Sequence, residues 1–143
     1  MVSYGVRVSI RQRPVPETET SLIADVFDQI QLAMKANPAG FTELYRDYLT
    51  DAWKTLPLLR EAVVQGDRDA VFSRAHYIKS SSLVLGAKAV ACRARELEDS
   101  ARTSDTILEN SAVDRVAEAL HEVQTQLAVR LGAGVIPAPK TAV

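Results

Sequence analysis

The feature that most constrains this chain is the spacing of its apolar residues. From residue 21 to residue 131 they recur at helical intervals, interrupted by Gly, Pro and Asp/Asn where helices should start and stop. Ile23, Val26, Phe27, Ile30 and Met34 form one face of a first helix, which should end by Asn37, ahead of Pro38. Pro38 suits the first turn of a second helix, carried by Phe41, Tyr45, Tyr48, Ala52, Leu56, Leu59 and Val63 and stopped at Gly66. Pro57 inside it removes one backbone donor and predicts a kink. Asp67 is placed to cap a third helix that runs to about Leu85 and ends at Gly86. Val90, Ala94, Leu97 and Ala101 mark a fourth, and Val113, Val116, Leu120, Val123, Leu127 and Leu131 a fifth. The fifth has two candidate starts, because "TILE" at Thr106 and "SAVD" at Ser111 both read as capping boxes. No strand alternation, internal repeat or low-complexity block competes with this pattern. The expected fold is all-α: an antiparallel up-down four-helix bundle with an additional N-terminal lid helix.

The ends differ from this middle. Residues 1–20 mix Arg7, Arg11 and Arg13 with Pro14 and Pro16 and read as a flexible arm; residues 132–143, "GAGVIPAPKTAV", read as a flexible tail. The bundle is therefore assigned to residues 21–131. Seventeen Lys and Arg against eighteen Asp and Glu give a formal charge of −1, which offers no bulk attraction to nucleic acid or anionic lipid. The single Cys92 cannot form an intramolecular disulfide, and no apolar run reaches membrane-spanning length. With no secretory leader pattern at the start, the expected location is the cytoplasm.

Chemistry concentrates in "AHYIKSSSLVLGA", Ala75 to Ala87, which holds the first of two histidines. At about 100° per residue, Val71, Ala75, Ile78, Ser82 and Leu85 share one direction and form the core stripe of the third helix. His76 lies about 140° from that stripe and points out of the bundle, with Lys79 and Ser80 to either side and Phe72 and Leu83 one or two turns away. An imidazole ringed by partly exposed Phe72 and Leu83 has the character of a docking surface. The bland alternative is a lone surface histidine beside small packing serines. His121, next to core position Leu120 without special neighbours, fits that alternative and is given no role.

What separates the two histidines is the surrounding pattern. "HYIKSSSLVLGAKAVACRARELEDSAR", His76 to Arg102, resembles the histidine-containing phosphotransfer (HPt) domain, whose signature runs His-x-Leu-Lys-Gly-Ser-x-x-x-x-Gly-Ala and continues into an x-x-Leu…Leu-Glu helix. His76, Ile78, Lys79, Ser81, Gly86, Ala87, Val90, Leu97 and Glu98 match or conservatively replace that pattern. "LLREAVVQGDRDAVFSRAH" also looks like the family's second helix and its approach to the histidine. One departure is Ser80, where the family usually has Gly; Ser80 remains small, and its hydroxyl is expected to bond back to a carbonyl one turn earlier.

The resemblance implies a phosphorelay intermediate that takes a phosphoryl group on His76 from a receiver-domain aspartate and passes it to another response-regulator receiver. A neutral imidazole, with an ordinary pKa of about 6.5, attacks phosphorus through Nε2. Lys79 would oppose a second positive charge on the ring and offset the phosphoryl oxygens. Glu98 falls at the family position whose side chain, often Gln in fungal members, reaches the histidine's other nitrogen. As a carboxylate it would hold the Nδ1–H tautomer. Arg102, one turn later, is a further candidate for the phosphoryl group. Phe72 and Leu83 are the expected docking contacts. The chain has no phosphate loop and no acidic cluster at ligand spacing, so the expectation is a carrier and not an enzyme, with no metal or cofactor of its own and Mg²⁺ supplied by the partner. The implied partners are receiver domains and a hybrid sensor kinase, without nucleic acid or membrane, and the chain is expected to act as a monomer. Two rivals are a four-helix adaptor that docks without being phosphorylated and, less well supported, a metal-binding bundle, disfavoured because the chain has only two histidines.

Overall fold

The described residues form five helices: α1 (Ala24–Ala33), α2 (Pro38–Val64), α3 (Arg68–Leu85), α4 (Lys88–Arg102) and α5 (Asn110–Leu131). The computed structural model describes residues 22–132 and Ile136, among which there is no strand. Residues 1–20, read above as an arm, lie outside the described residues. Around the bundle α2 packs on α3 and α5, and α4 on α3 and α5, while α1 lies against α2 and α3. This is the expected antiparallel four-helix bundle with an added N-terminal helix.

Local chemistry sets the helix ends. Asn37 Oδ1 accepts from the Gly40 amide at 3.0 Å, and Pro38 fills the first helical position of α2. Asp67 Oδ1 accepts from the Ala70 amide at 3.1 Å to start α3. Caps of this kind are each worth about 1 kcal/mol. α2 continues through exposed Pro57 to Val64. α3 ends where Gly86 turns left-handed at φ 83°, and the Ala87 amide then donates to the Ser82 carbonyl at 2.8 Å. Gly86 also seats the lid. Its carbonyl accepts from the Ile23 amide at 2.9 Å, and a Cβ at this position would stand 2.8 Å from that of Val26. A side chain at residue 86 would thus strain the turn and displace α1.

The start of α5 differs from both sequence readings. It begins at Asn110, and neither Thr106 nor Ser111 caps it; the Ser111 hydroxyl bonds to Glu109 instead. The cause is remote in sequence. Arg68 reaches from the first turn of α3 to the carbonyls of Ser100 (2.8 Å), Thr103 (3.0 Å) and Thr106, holding the α4–α5 connection out of helical geometry. Residues 133–135 and 137–143 of the expected tail lie outside the described residues, and the one described residue beyond Gly132 departs from expectation. Ile136, placed in the tail, is fully buried in the core, and its amide donates to the Gly132 carbonyl at 3.1 Å.

The apolar stripes meet in a single core that includes Leu59, Val71, Ala75, Ile78, Val90, Ala94, Leu97, Val116, Leu120 and Leu127. Phe27 of the lid meets Phe41 edge-on at 5.1 Å and lies 5.4 Å from Tyr45. Such ring pairs add about 0.5–1.5 kcal/mol beyond their buried area. Three polar pairs cross the core: Tyr45 Oη donates to the Leu85 carbonyl at 3.0 Å, Tyr48 Oη and Ser82 Oγ share a 2.7 Å bond, and Trp53 Nε1 donates to Gln124 Oε1 at 2.6 Å. Burial pushes both phenols up, that of Tyr45 to about 12, so they stay neutral at any ordinary pH.

Candidate functional site

The site lies where α3 and α4 face each other. Val71, Ala75, Ile78, Ser82 and Leu85 are all buried, so the rotation of α3 is fixed and His76 is carried to the outside, with 55% of its side chain exposed. On α4 the buried residues are mostly small, Ala89, Ala91, Ala94 and Ala101 among them, and these let the two backbones approach closely. Glu98 sits in that buried row with only 6% of its side chain exposed.

Close approach brings the Glu98 carboxylate to two groups of α3. Oε2 lies 2.5 Å from His76 Nδ1, and Oε1 accepts from Lys79 Nζ at 2.8 Å. Burial, the largest single influence, pushes the Glu98 carboxyl up. Hydrogen bonds from Lys79 and His76, with their charges, outweigh it and hold Glu98 below the ordinary glutamate value. A carboxylate accepts only, so the proton between it and the ring belongs to Nδ1 in the neutral imidazole. Nε2 then carries the lone pair, and it makes no hydrogen bond among the described residues.

The remaining expected site residues take distinct places. Lys79 is not a free cation beside the imidazole; its ammonium is paired with Glu98. Arg102 does not touch His76: its guanidinium lies over the Phe72 ring at 4.7 Å, and Phe72 in turn stacks on the His76 ring at 5.7 Å and 17°. Leu83 is 51% exposed, beside Val84 at 71% and Tyr77 at 50%. Val84 and Tyr77 add exposed apolar surface on α3 beyond the Leu83 that the sequence indicated. The Tyr77 hydroxyl donates to Asp51 of α2 at 2.7 Å.

The three serines divide the work of the segment. Ser80, exposed one turn after His76, makes no side-chain hydrogen bond among the described residues, so the expected bond to a preceding carbonyl is absent there. Ser81 makes it instead, donating to the carbonyls of Tyr77 and Ile78. Ser82 is the buried partner of Tyr48. Among the described residues no group of three or more His, Cys, Asp or Glu could hold a metal ion, and no helix is long and apolar enough to cross a membrane.

A four-helix bundle that displays an imidazole on its outer face, one ring nitrogen held by a buried carboxylate and the other open, defines a carrier module built around a histidine. The family model of the Hpt domain matches residues 43–126, from the second turn of α2 into α5, and the chain belongs to that family, the phosphocarrier modules of histidine phosphotransfer in phosphorelays. Members of this family interact with response-regulator receiver domains. Helix α1 lies outside the matched span. Searches among curated proteins and among solved structures return no significant match.

Proposed function

We propose that this chain is a phosphorelay intermediate in which His76 is the phosphorylated residue, loaded from the aspartyl phosphate of one receiver domain and discharged to the aspartate of another. The observation that carries the reading is the 2.5 Å contact between Nδ1 and buried Glu98, which leaves Nε2 as the open nucleophile. In loading, Nε2 forms a bond to phosphorus while the bond from phosphorus to the aspartyl oxygen breaks, and that electron pair leaves with the receiver's carboxylate. The Nδ1 proton stays in place, and the positive charge arising on the ring is met by Glu98. Discharge reverses these steps. Lys79 holds Glu98 in register, and Arg102, whose guanidinium lies over the Phe72 ring that stacks on His76, is the further candidate for the phosphoryl group. Phe72 and Leu83 form the contact for receivers, including that of a hybrid sensor kinase. The chain acts as a cytoplasmic monomer, needs no cofactor of its own, and uses the Mg²⁺ of its partner.

Incubation with a panel of receivers phosphorylated by a small phosphodonor tests this. Acid-labile, alkali-stable label should pass to the chain from at least one receiver and return to a second. Stable receiver binding without label would instead establish the adaptor that docks without being phosphorylated.

A further inference from the structure

One hydrogen bond does not orient an exposed ring. The Nδ1–Glu98 contact fixes an atom of His76 but leaves the imidazole plane free to swing about that contact, and with 55% exposure the side chain has solvent space to do so. The structure supplies a second restraint. Phe72, one turn earlier on α3, lies nearly parallel to the imidazole at 17° and 5.7 Å between centroids. Phe72 is itself steadied from two sides, partly buried against the core and covered by the Arg102 guanidinium at 4.7 Å. Arg102 and Glu98 are one turn apart on α4. The same helix thus restrains the imidazole at an atom directly and in its plane through an aromatic ring.

From this we infer that Phe72 is a positioning residue for phosphoryl transfer, setting the plane of the His76 ring so that Nε2 faces an incoming phosphorus, and that Arg102 acts on the reaction by holding Phe72. The inference rests on the reading of His76 as the phosphorylated residue. It is distinct from the docking task assigned to Phe72, because a ring that orients the nucleophile matters even when no partner is bound. Misplacement of a reacting atom by about 1 Å is enough to slow a reaction substantially.

The test uses phosphoramidate, a small phosphodonor that needs no docking surface. Phosphorylation of the full chain at His76 should slow about fivefold or more in Phe72→Leu, return towards the parent rate in Phe72→Tyr, which keeps the ring, and slow by a smaller factor in Arg102→Gln, an exposed change that leaves the fold intact. Nitrogen NMR of the imidazole should show the Nδ1–H tautomer less fully populated in Phe72→Leu than in the parent. Parent rates with phosphoramidate in both Phe72→Leu and Arg102→Gln, with label still on His76, would overturn the inference and leave Phe72 as a docking contact only. A parent chain that takes no label from phosphoramidate or from any receiver overturns the reading of His76, and the inference with it.

Discussion

The two histidines of this chain are both exposed and stand on different helices, and comparison of their surroundings shows how differently the fold holds them. His121, on α5, shares an open surface depression with Glu118, Glu122, Thr125 and Gln126, and its ring has no hydrogen-bond or ion-pair partner among the described residues. His76, on α3, faces a buried carboxylate across a close helix pair. Neighbouring acids occur in both places. At His121 they are exposed residues of the same helix; at His76 the acid belongs to another helix and is fixed by burial and by Lys79. A nucleophile of defined tautomer needs a partner that cannot move away, and tertiary packing supplies one only at α3.

The largest expected effect breaks the comparison outright. His76→Gln should lose all acid-labile label from a phosphorylated receiver, while His121→Gln keeps the parent level; label persisting on the first variant, with helical circular dichroism intact, would sink the assignment. Next in size is the buried acid. Glu98→Ala should slow transfer by about 10- to 100-fold, the usual result of removing the group that orients a reactive histidine, measured as single-turnover loading from a receiver.

The acid also carries a pH signature. Its folded-state pKa lies below the ordinary value, so its ionised form adds stability that is present above about 4.5 and is lost as pH falls through the lowered value. Glu98→Gln should flatten the acid limb of melting temperature against pH, whereas an unchanged limb would mean that the pairing contributes nothing to the folded state. Smaller again is the docking rim. Leu83→Asp should weaken receiver binding at least about tenfold, the cost of an unpaired carboxylate at an apolar contact, with little change in melting temperature. Val129→Asp, at a more open position on α5, should leave affinity unchanged, as calorimetry against one receiver can establish. The smallest effect is at Ser80. With no hydrogen bond to lose, Ser80→Gly should transfer at least as fast as the parent despite a helix-propensity cost of roughly 0.5 kcal/mol; slower transfer would show that the hydroxymethyl group assists the reaction.

Sequence reasoning reached the parts of this molecule that short-range rules decide. Asp67 and Gly86 bound α3 by local hydrogen bonding and a positive φ, and the stripe from Val71 to Leu85 fixes its rotation, so the outward direction of His76 follows from spacing alone. Glu98 is different. Nothing in α4's own periodicity marks a buried acid as a partner of α3, and only the family resemblance pointed to it. The start of α5 was illegible because a guanidinium about forty residues earlier in the chain competes for the backbone that the capping boxes would have organised. The contact of Arg102 with Phe72 was missed for a related reason: spacing along one helix predicts neighbours on that helix, while the depth at which two helices mesh determines which side chains meet between them.

The single open nitrogen of His76, on one face of the bundle, also sets a rule of traffic. On the proposed reading of His76, donor and acceptor must approach the same atom from the same side, so they cannot occupy the carrier together, and each phosphoryl group spends part of its journey on a chain with no partner attached. Throughput then depends on how quickly a spent donor leaves, and an interface strengthened past a certain point would delay the relay it serves.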